Sequence, residues 1–300
     1  MLQFRPLRTR LLLVALAALV VVGVAGWAIW PGRSHPRAAA LTVPVGKPAA
    51  RPAPMPLHRP QARAAVPILM YHVIAPPFPT SPFPGLYVPP AEFAAQMRAL
   101  ASAGYRAVTL DEVRNAWRSV GSLPPRPIVI SFDNGYRSQY TQALPVLRRL
   151  HWVGDENLQL TGLPPRQGGL SSAQIRGLVA AGWELDTQGL SHVDLTGLGA
   201  TALRHQVAAA RSLIRRRYGA RANWFCYPSG RYDATVVAAV RAAGYAGATT
   251  VSPGWATRSD NPYRLPRLRV LGGTDPRALL ALIADARTDP PPPGAYLPHG

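Results

Sequence analysis

Short apolar runs alternate with helical patterns between Val66 and about Ala286. Each run and the helix after it take about 25–35 residues, which is typical of repeated βα units. The predicted strands are Val66–Tyr71, Ala107–Leu110, Pro127–Phe132, Val153–Leu160, Trp183–Thr187, Asn223–Tyr227, Ala246–Thr250 and Arg267–Val270. The predicted helices include Pro90–Ala103, Arg137–Leu150, Ser172–Ala181, Ala200–Tyr218 and Asp233–Ala243.

About seven or eight such units predict an α/β fold, a distorted (β/α) barrel that is closed or nearly closed. An open doubly wound sheet for nucleotides would carry a Gly-rich phosphate loop after its first strand, and none follows Tyr71. The carboxyl ends of barrel strands converge, so polar residues directly after strands are the candidates for function. These positions are Tyr71-His72, Asp133-Asn134, Asp186 to His192 and Tyr227-Pro228-Ser229-Gly230.

The amino-terminal segment differs from globular sequence. Residues 1–10 are basic, and residues 11–30 form an uncharged apolar stretch, LLLVALAALVVVGVAGWAIW. A helix of this length, at about 1.5 Å per residue, crosses a hydrocarbon core of about 30 Å. We therefore expect a transmembrane signal anchor with its basic flank in the cytoplasm. A signal peptide cleaved near Val24-Ala25-Gly26 is the alternative, although its apolar region usually has only about 7–15 residues.

The remaining boundaries follow from composition. Residues 31–65 are rich in Pro, Ala and Arg without an apolar period, which predicts an extended linker. Residues 66–286 are the predicted folded domain, and residues 287–300 are a Pro-rich tail. We expect a single-pass protein of the cell membrane whose domain lies outside the cytoplasm, or a secreted one if the amino-terminal segment is cleaved.

Charge and cysteine content narrow the classes of partner. The net charge is +19 at pH 7 and comes almost wholly from arginine, since Lys47 is the only lysine. No basic module with interleaved aromatic residues stands out, so we expect no nucleic-acid partner; the charge suits anionic wall or membrane polymers. Cys226 is the only cysteine, which excludes an intramolecular disulfide. Its apolar neighbours and the absence of a nearby charged partner predict an unreactive core thiol.

Five segments resemble, in order, the polysaccharide deacetylase family, the homologues of the nodulation-factor chitooligosaccharide deacetylase. They are VPILMYHVI, IVISFDNGYRSQYTQALPVL, GGLSSAQIRGLVAAGWELDTQGLSHVDLTGL, NWFCYPSGRYDATVVAAVRAAGYAGATT and PYRLPRLRV. The resemblance implies hydrolysis of an acetyl group, in which a divalent metal stabilises the oxyanion and a base activates water.

The resemblance also implies roles for individual residues. The family's paired aspartates, a general base and a metal ligand, correspond to Asp133 and Asn134. Its His-x-x-x-His ligand pair corresponds to Gln188 and His192. Two ligand positions thus carry neutral amides, whereas Zn²⁺ prefers His, Cys and carboxylate. We therefore expect a divalent metal to bind weakly, and its identity stays open.

Further candidates compensate for departures from the family pattern. The family's late histidine, which protonates the leaving amine, has no match between Arg267 and Ala286, and His72 is the predicted replacement acid. Asp186 shares a strand face with Gln188 and can restore the negative charge lost at Asn134. The predicted substrate contacts are Tyr227, Pro228, Ser229 and Gly230, in a segment where Cys226 and Ser229 replace the family's usual Arg and Tyr.

Each candidate also has a structural interpretation. Asp133 can cap the next helix or turn, and Asp186 can pair with one of the many arginines. His192 can be a structural histidine with its hydrogen bonds satisfied, and His72 can bond across the barrel mouth. Asp155 and Glu156 are adjacent in a strand, so their side chains point to opposite faces and cannot act as a facing pair.

Taken together, these features predict a membrane-anchored, extracytoplasmic carbohydrate deacetylase-like hydrolase. Its substrate would be an N- or O-acetyl group of a cell-envelope polysaccharide or peptidoglycan, and its amino-terminal helix would bind the membrane. The alternative is a catalytically impaired relative that binds glycan without hydrolysis. A membrane-tethered assembly protein would explain the anchor and linker but would leave the strand-end residues unused.

Overall fold

The computed structural model describes residues 63–81, 83–161, 163 and 168–290. The predicted basic segment and anchor, and most of the linker and tail, lie outside these residues. Among the helices that the structure describes, none has both the length and the apolar character needed to cross a membrane.

The described part of the chain forms a curled, mixed sheet surrounded by helices. The strands are β1 Val66–Tyr71, β2 Arg106–Ala107, β3 Pro127–Asn134, β4 Asp155–Leu158, β5 Glu184–Thr187, β6 Trp224–Cys226, β7 Gly247–Thr249, β8 Trp255–Ala256 and β9 Leu268–Arg269. The helices are α1 Pro90–Ser102, α2 Leu110–Trp117, α3 Leu144–Arg149, α4 Ser172–Ala180, α5 Ala200–Arg204, α6 Ala210–Tyr218, α7 Ala234–Ala242 and α8 Pro276–Asp285. Single π-helical segments precede α3 and join α5 to α6.

The strand order explains the half-barrel shape. The main path runs β7-β6-β5-β4-β3-β1-β8, while β2 pairs with β3 and β9 pairs with β1. All of these pairs are parallel except β1 with β8. The predicted barrel is therefore confirmed in its coarse form. Its units are less regular than expected, because β2, β8 and β9 have only two residues each.

Each central strand separates an apolar outer face from an inner face that becomes polar. On β3, Ile128, Ile130 and Phe132 pack in the cluster that includes α1, α3 and α8. The alternate residues Ser131 and Asp133 are buried on the inner face. The same alternation places Asp155 and Asn157 inward on β4, next to their β3 partners Ser131 and Asp133. The sequence-based view that Asp155 and Glu156 face opposite ways is thus confirmed.

One predicted strand is shorter than expected, and a helix that was not predicted follows it. The expected strand Ala107–Leu110 ends at Ala107, and α2 begins at Leu110. Thr109 caps this helix: its Oγ1 accepts from Glu112 N, and the Glu112 carboxylate accepts from Thr109 N. Helix α2 then packs Leu110, Val113 and Trp117 against the apolar inner residues at the amino-terminal side of the sheet.

Candidate active site

A sharp turn ends β3 and fixes the first two candidates. Asn134 and Gly135 both have positive φ, of 78° and 88°. The positive φ of position 135 favours glycine, and a Cβ there would also force the Leu158 side chain of β4 to move. Asn134 tolerates the left-handed conformation better than most residues do, and its Nδ2 lies 3.3 Å from Gln159 Oε1.

Asp133 is held by Arg267 through two parallel hydrogen bonds. Arg267 Nη1 donates to Oδ1 at 2.7 Å and Nη2 donates to Oδ2 at 2.9 Å, with both side chains almost completely buried. Asn157 Nδ2 also donates to Oδ1 at 2.9 Å. Burial alone would raise the pKa of Asp133, but the charge and hydrogen bonds of Arg267 lower it to about 2. Asp133 is therefore an ionised carboxylate at neutral pH.

His72 follows β1 and faces the same carboxylate. Its Nε2 lies 3.9 Å from Asp133 Oδ2, and its Nδ1 is buried without a hydrogen-bond partner among the described residues. Burial lowers the pKa of His72 to about 4, although the charge of Asp133 opposes this shift. The imidazole is consequently neutral at neutral pH. Gln139 Nε2 donates to the carbonyl oxygens of His72 and Asp133, at 2.9 and 2.8 Å, and so ties the two strand ends together.

The residues at the family's metal-ligand positions form a poor donor set for zinc. Gln188 is 2% exposed, and its Oε1 has no hydrogen-bond partner among the described residues. His192 is exposed; partial burial of its ring lowers its pKa, while Asp133 is close enough to oppose that shift. One imidazole and two neutral amides lack the negative ligand that Zn²⁺ prefers, and Asp133 is already bound to Arg267. These residues do not fit a tightly held zinc ion.

The segment predicted to contact substrate borders this group from the end of β6. Tyr227 is buried, donates its hydroxyl to Tyr263 O at 3.0 Å and stacks on Tyr232 at 4.6 Å between ring centroids. Pro228 is also buried, whereas Ser229 and Gly230, both with positive φ, are partly exposed. Substrate contact by this segment stays a prediction, and Ser229 and Gly230 are the members open to solvent.

Cys226 lies in the core, as predicted, but its surroundings are charged. Arg267 Nη2 contacts its sulfur at 3.2 Å, and the sulfur lies 3.5 Å from Asp133 Oδ2. The expectation that the thiol lacks a charged partner was wrong, because both partners are distant in sequence. Burial raises the pKa of Cys226 to about 12 even though Arg267 opposes the shift, so the thiol stays protonated.

Asp186 belongs to a different group of residues. Its Oδ1 accepts from Trp224 N at 2.8 Å, and its carboxylate lies with those of Asp155 and Glu184. Asp186 does face inward on β5, as the strand period predicts, since it pairs in register with the inward residue Asn157. Its predicted role in replacing the charge lost at Asn134 stays untested.

Sequence reasoning missed the residues that hold Asp133 in place. Arg267 is one of many arginines, and nothing in its local sequence marks it as the partner of a carboxylate on β3. Asn157 and Gln139 carry no motif either. The available signal was indirect: Arg267 precedes a short apolar strand and lies in PYRLPRLRV, one of the five segments that carried the resemblance.

Three comparisons with known proteins identify what this chain is similar to. Residues 121–248 match the family model described as polysaccharide deacetylase. The protein YxkH of Bacillus subtilis (strain 168) is 28% identical over 220 residues, which are 73% of this chain and 76% of YxkH. The poly-beta-1,6-N-acetyl-D-glucosamine N-deacetylase of Escherichia coli (strain K12) is 39% identical over 49 residues, 16% of this chain and 7% of that protein.

A solved structure shares the fold. The Streptococcus pyogenes deacetylase PplD in complex with acetate has a TM-score of 0.67 and 23% identity, and the match covers 73% of this chain and 98% of PplD. At this identity the likeness shows the fold alone. The region matched by the family model contains Asp133, Asn134, Gln188 and His192. The chain is therefore similar to the polysaccharide deacetylase family over residues 121–248.

Proposed function

We propose that the protein hydrolyses an acetyl group on a cell-envelope glycan, with Asp133 and His72 as its acid–base pair. The observation that carries the proposal is the buried carboxylate of Asp133, fixed by Arg267 and facing His72 Nε2 at 3.9 Å. The match of residues 121–248 to the polysaccharide deacetylase model and the poly-N-acetylglucosamine substrate in the name of the Escherichia coli relative support the substrate class.

The pKa values of Asp133 and His72 indicate which of the two accepts the proton. Asp133, with a pKa of about 2, is a weaker base than His72, with a pKa of about 4. In the proposed step His72 Nε2 takes a proton from the attacking water, and the Asp133 carboxylate stabilises the imidazolium that forms. The imidazolium then returns the proton to the leaving atom of the sugar. Arg267 acts as a positioning residue, because it contacts Asp133 and orients it.

The weak metal site favours an ester substrate over an amide. Amide hydrolysis expels a poor leaving group from a resonance-stabilised carbonyl, so it depends strongly on a Lewis acid that stabilises the oxyanion. An acetyl ester has a more reactive carbonyl and a better leaving group. We therefore propose that an O-acetyl sugar turns over faster than an N-acetyl sugar.

Glycan binding without hydrolysis is the second candidate. It is favoured by the donors that occupy Asp133: Arg267 bonds both oxygens, and Asn157 and Cys226 contact one each. A carboxylate has about four lone-pair sites, so few remain for water or for an imidazolium.

Acetate release by the full-length protein tests the proposal, with an O-acetylated sugar and an N-acetylglucosamine oligomer as the two substrates. We expect Asp133→Asn and His72→Ala each to lower kcat by about 100-fold or more while KM changes little. Asp285→Asn, an exposed substitution on α8, is the matched control and should leave kcat unchanged. Full activity in both site variants would contradict the proposal. Binding of these sugars by the unaltered protein without any acetate release would also contradict it, and would favour glycan binding without hydrolysis.

The proposal includes the location predicted from the sequence. The basic residues before position 11 and the apolar stretch 11–30 support an anchor whose following domain faces the envelope glycan.

A further inference from the structure

A second cluster of buried polar groups lies on the inner face of the sheet, away from the His72–Asp133 pair. Asp155 and Glu184 are the first residues of β4 and β5 and pair with each other in register, and Asp186 follows two residues later on β5. These three carboxylates, called here the acidic trio, each offer an oxygen that lies within 4.8 Å of the other two. Asp155 and Asp186 are completely buried, and Glu184 is partly exposed.

Backbone amides orient each carboxylate of the acidic trio in the same way. Leu110 N and Asp111 N, in the first turn of α2, donate to Asp155 Oδ2 at 2.9 Å and to Glu184 Oε2 at 3.0 Å. Trp224 N donates to Asp186 Oδ1 at 2.8 Å. One oxygen of every carboxylate is therefore fixed by the backbone, which is how proteins commonly orient metal-binding carboxylates.

The other three oxygens have no partner. Asp155 Oδ1, Glu184 Oε1 and Asp186 Oδ2 are inaccessible to solvent and lack a hydrogen bond within the described part of the chain. A buried carboxylate oxygen without a donor is costly, and three of them within one cluster of side chains are more so. Such an arrangement calls for a positive charge or for protons between the oxygens.

Asn157, an uncharged residue, adds an independent acceptor. It is completely buried, pairs in register with Asp186 and lies on the same inner face as Asp155. Its Nδ2 donates to Asp133, and its Oδ1 has no partner among the described residues. Because the two amide atoms diverge from one carbon, Oδ1 points away from Asp133. The register therefore places beside the trio a buried residue with an unpartnered neutral oxygen, of a type that binds hard cations.

No side chain supplies the missing positive charge. Among the described residues, no arginine, lysine or histidine forms an ion pair with any member of the acidic trio. Arg211 is the nearby cation that acts on Asp186, and it directs its Nε and Nη1 to the carbonyl oxygens of Ala222 and Ala243. Burial and mutual repulsion raise the pKa of both Asp155 and Glu184.

We propose that the acidic trio binds a structural divalent cation of the calcium or magnesium class. All the available donors are oxygens, which suits these hard cations and disfavours Zn²⁺. Two ligands on opposite sides of Ca²⁺, at about 2.4 Å each, are about 4.8 Å apart. Mg²⁺ prefers a tighter octahedron that retains several waters, so we expect Ca²⁺ to bind more strongly in this buried site.

Thermal unfolding of the full-length protein tests the site without reference to activity. After treatment with a chelator, CaCl2 at about 100-fold excess over its Kd should raise Tm by about 5–10 °C, and MgCl2 should raise it less. Elemental analysis of the calcium-loaded protein after dialysis should find one ion per chain. No rise in Tm and no retained ion would overturn the proposal, and protons shared among the carboxylates would then explain the trio.

Variants separate this site from its neighbours. Asp155→Asn and Asp186→Asn should each weaken calcium binding at least about tenfold, since each removes a charged ligand. Glu184→Gln, at the partly exposed member, serves if either buried variant fails to fold. The matched control is Glu156→Gln, which alters an equally buried carboxylate on the opposite face of β4 and should keep the calcium response. If His192→Ala abolished the rise in Tm with calcium and Asp155→Asn kept it, the ion would belong to the site that contains His192, and the proposal would be overturned.

Discussion

Asp133 illustrates how one buried ion pair can serve both folding and chemistry. Replacing a buried pair by apolar residues is often neutral for stability, whereas removing one partner leaves an uncompensated charge. Arg267 and Asp133 are 1% and 2% exposed, so neither has water available as a substitute partner. The pair therefore fixes the carboxylate at the end of β3. Each partner also offsets the cost of burying the other partner's charge inside the barrel.

Arg267→Met should lower the free energy of unfolding by about 3–5 kcal/mol at neutral pH, because Asp133 would remain charged and buried. The double variant Arg267→Met/Asp133→Leu should recover most of this loss, since no charge is left behind. Urea unfolding of the three proteins measures the effect. A double variant as unstable as Arg267→Met alone would show that the arginine stabilises through packing instead of through the pair.

The same variants predict a pH dependence with a defined sign. The pKa of Asp133 is lowered to about 2 in the folded protein, against an unfolded value of about 3.9, so the pair's stabilisation is complete above about pH 4. It is lost as the pH falls toward 2. The difference in stability between the unaltered protein and Arg267→Met should consequently narrow on acidification, because protonation removes the uncompensated charge from the variant.

Single residues show what the sequence could and could not reveal about the site. Asp133 and His72 were predictable because each directly follows an apolar run that ends at the mouth of a barrel. Arg267 was not predictable from local pattern, because its partner is 134 residues away. The acidic trio was missed for the same reason: Asp155 and Glu184 become neighbours only when β4 and β5 pair.

The accuracy of the predicted elements followed the strength of their local signals. Strands β1 and β3 are buried along their whole length, and their continuous apolar runs marked them clearly. Helix α2 was not predicted, and its first residue, Leu110, was assigned to the preceding strand because Val108 and Thr109 are β-branched. The competing signal was the capping box, in which Thr109 precedes Glu112 by three residues. Helix α8 was not predicted, although Asp275 and Pro276 form a favourable start.

Helix α2 gives a prediction at the level of the element. Thr109→Ala removes both hydrogen bonds of the capping box and should lower the free energy of unfolding by about 1 kcal/mol. Thr109→Ser keeps the hydroxyl and is the matched control, with little expected change. Denaturant unfolding of both variants provides the measurement. Equal losses in the two would show that the Thr109 methyl group, not the cap, matters.

At the level of the whole molecule, two groups of buried charged residues are held by the curled sheet. One consists of His72, Asp133, Cys226 and Arg267, in which the carboxylate has a full positive partner. The other is the acidic trio, in which no such partner exists among the described residues. The two groups are connected through the paired strands β3, β4 and β5. A substitution in one group can therefore alter the position of side chains in the other.

A double substitution tests directly whether the three positions that correspond to the family's metal ligands, Asn134, Gln188 and His192, lie close together. Asn134→Asp with Gln188→His would place one carboxylate and two histidines at the three positions, which is the donor set of a catalytic zinc site. Both substitutions roughly conserve side-chain size, and Asp tolerates the positive φ of position 134, so the fold should survive. We expect zinc affinity to rise at least about tenfold, or about 1.4 kcal/mol.

Calorimetric titration of the full-length protein with zinc, in saturating calcium to occupy the acidic trio, measures this gain. His192→Ala in the background of the double variant is the matched control, and it should abolish the gain because it removes the third ligand. A gain that survives the control would mean that zinc binds elsewhere. An unchanged affinity in the double variant would mean that the end of β3 and the loop after β5 do not bring these side chains together. The residue-by-residue correspondence with the family would then fail at the three ligand positions, whereas the placement of Asp133 would be unaffected, because it rests on the contacts with Arg267.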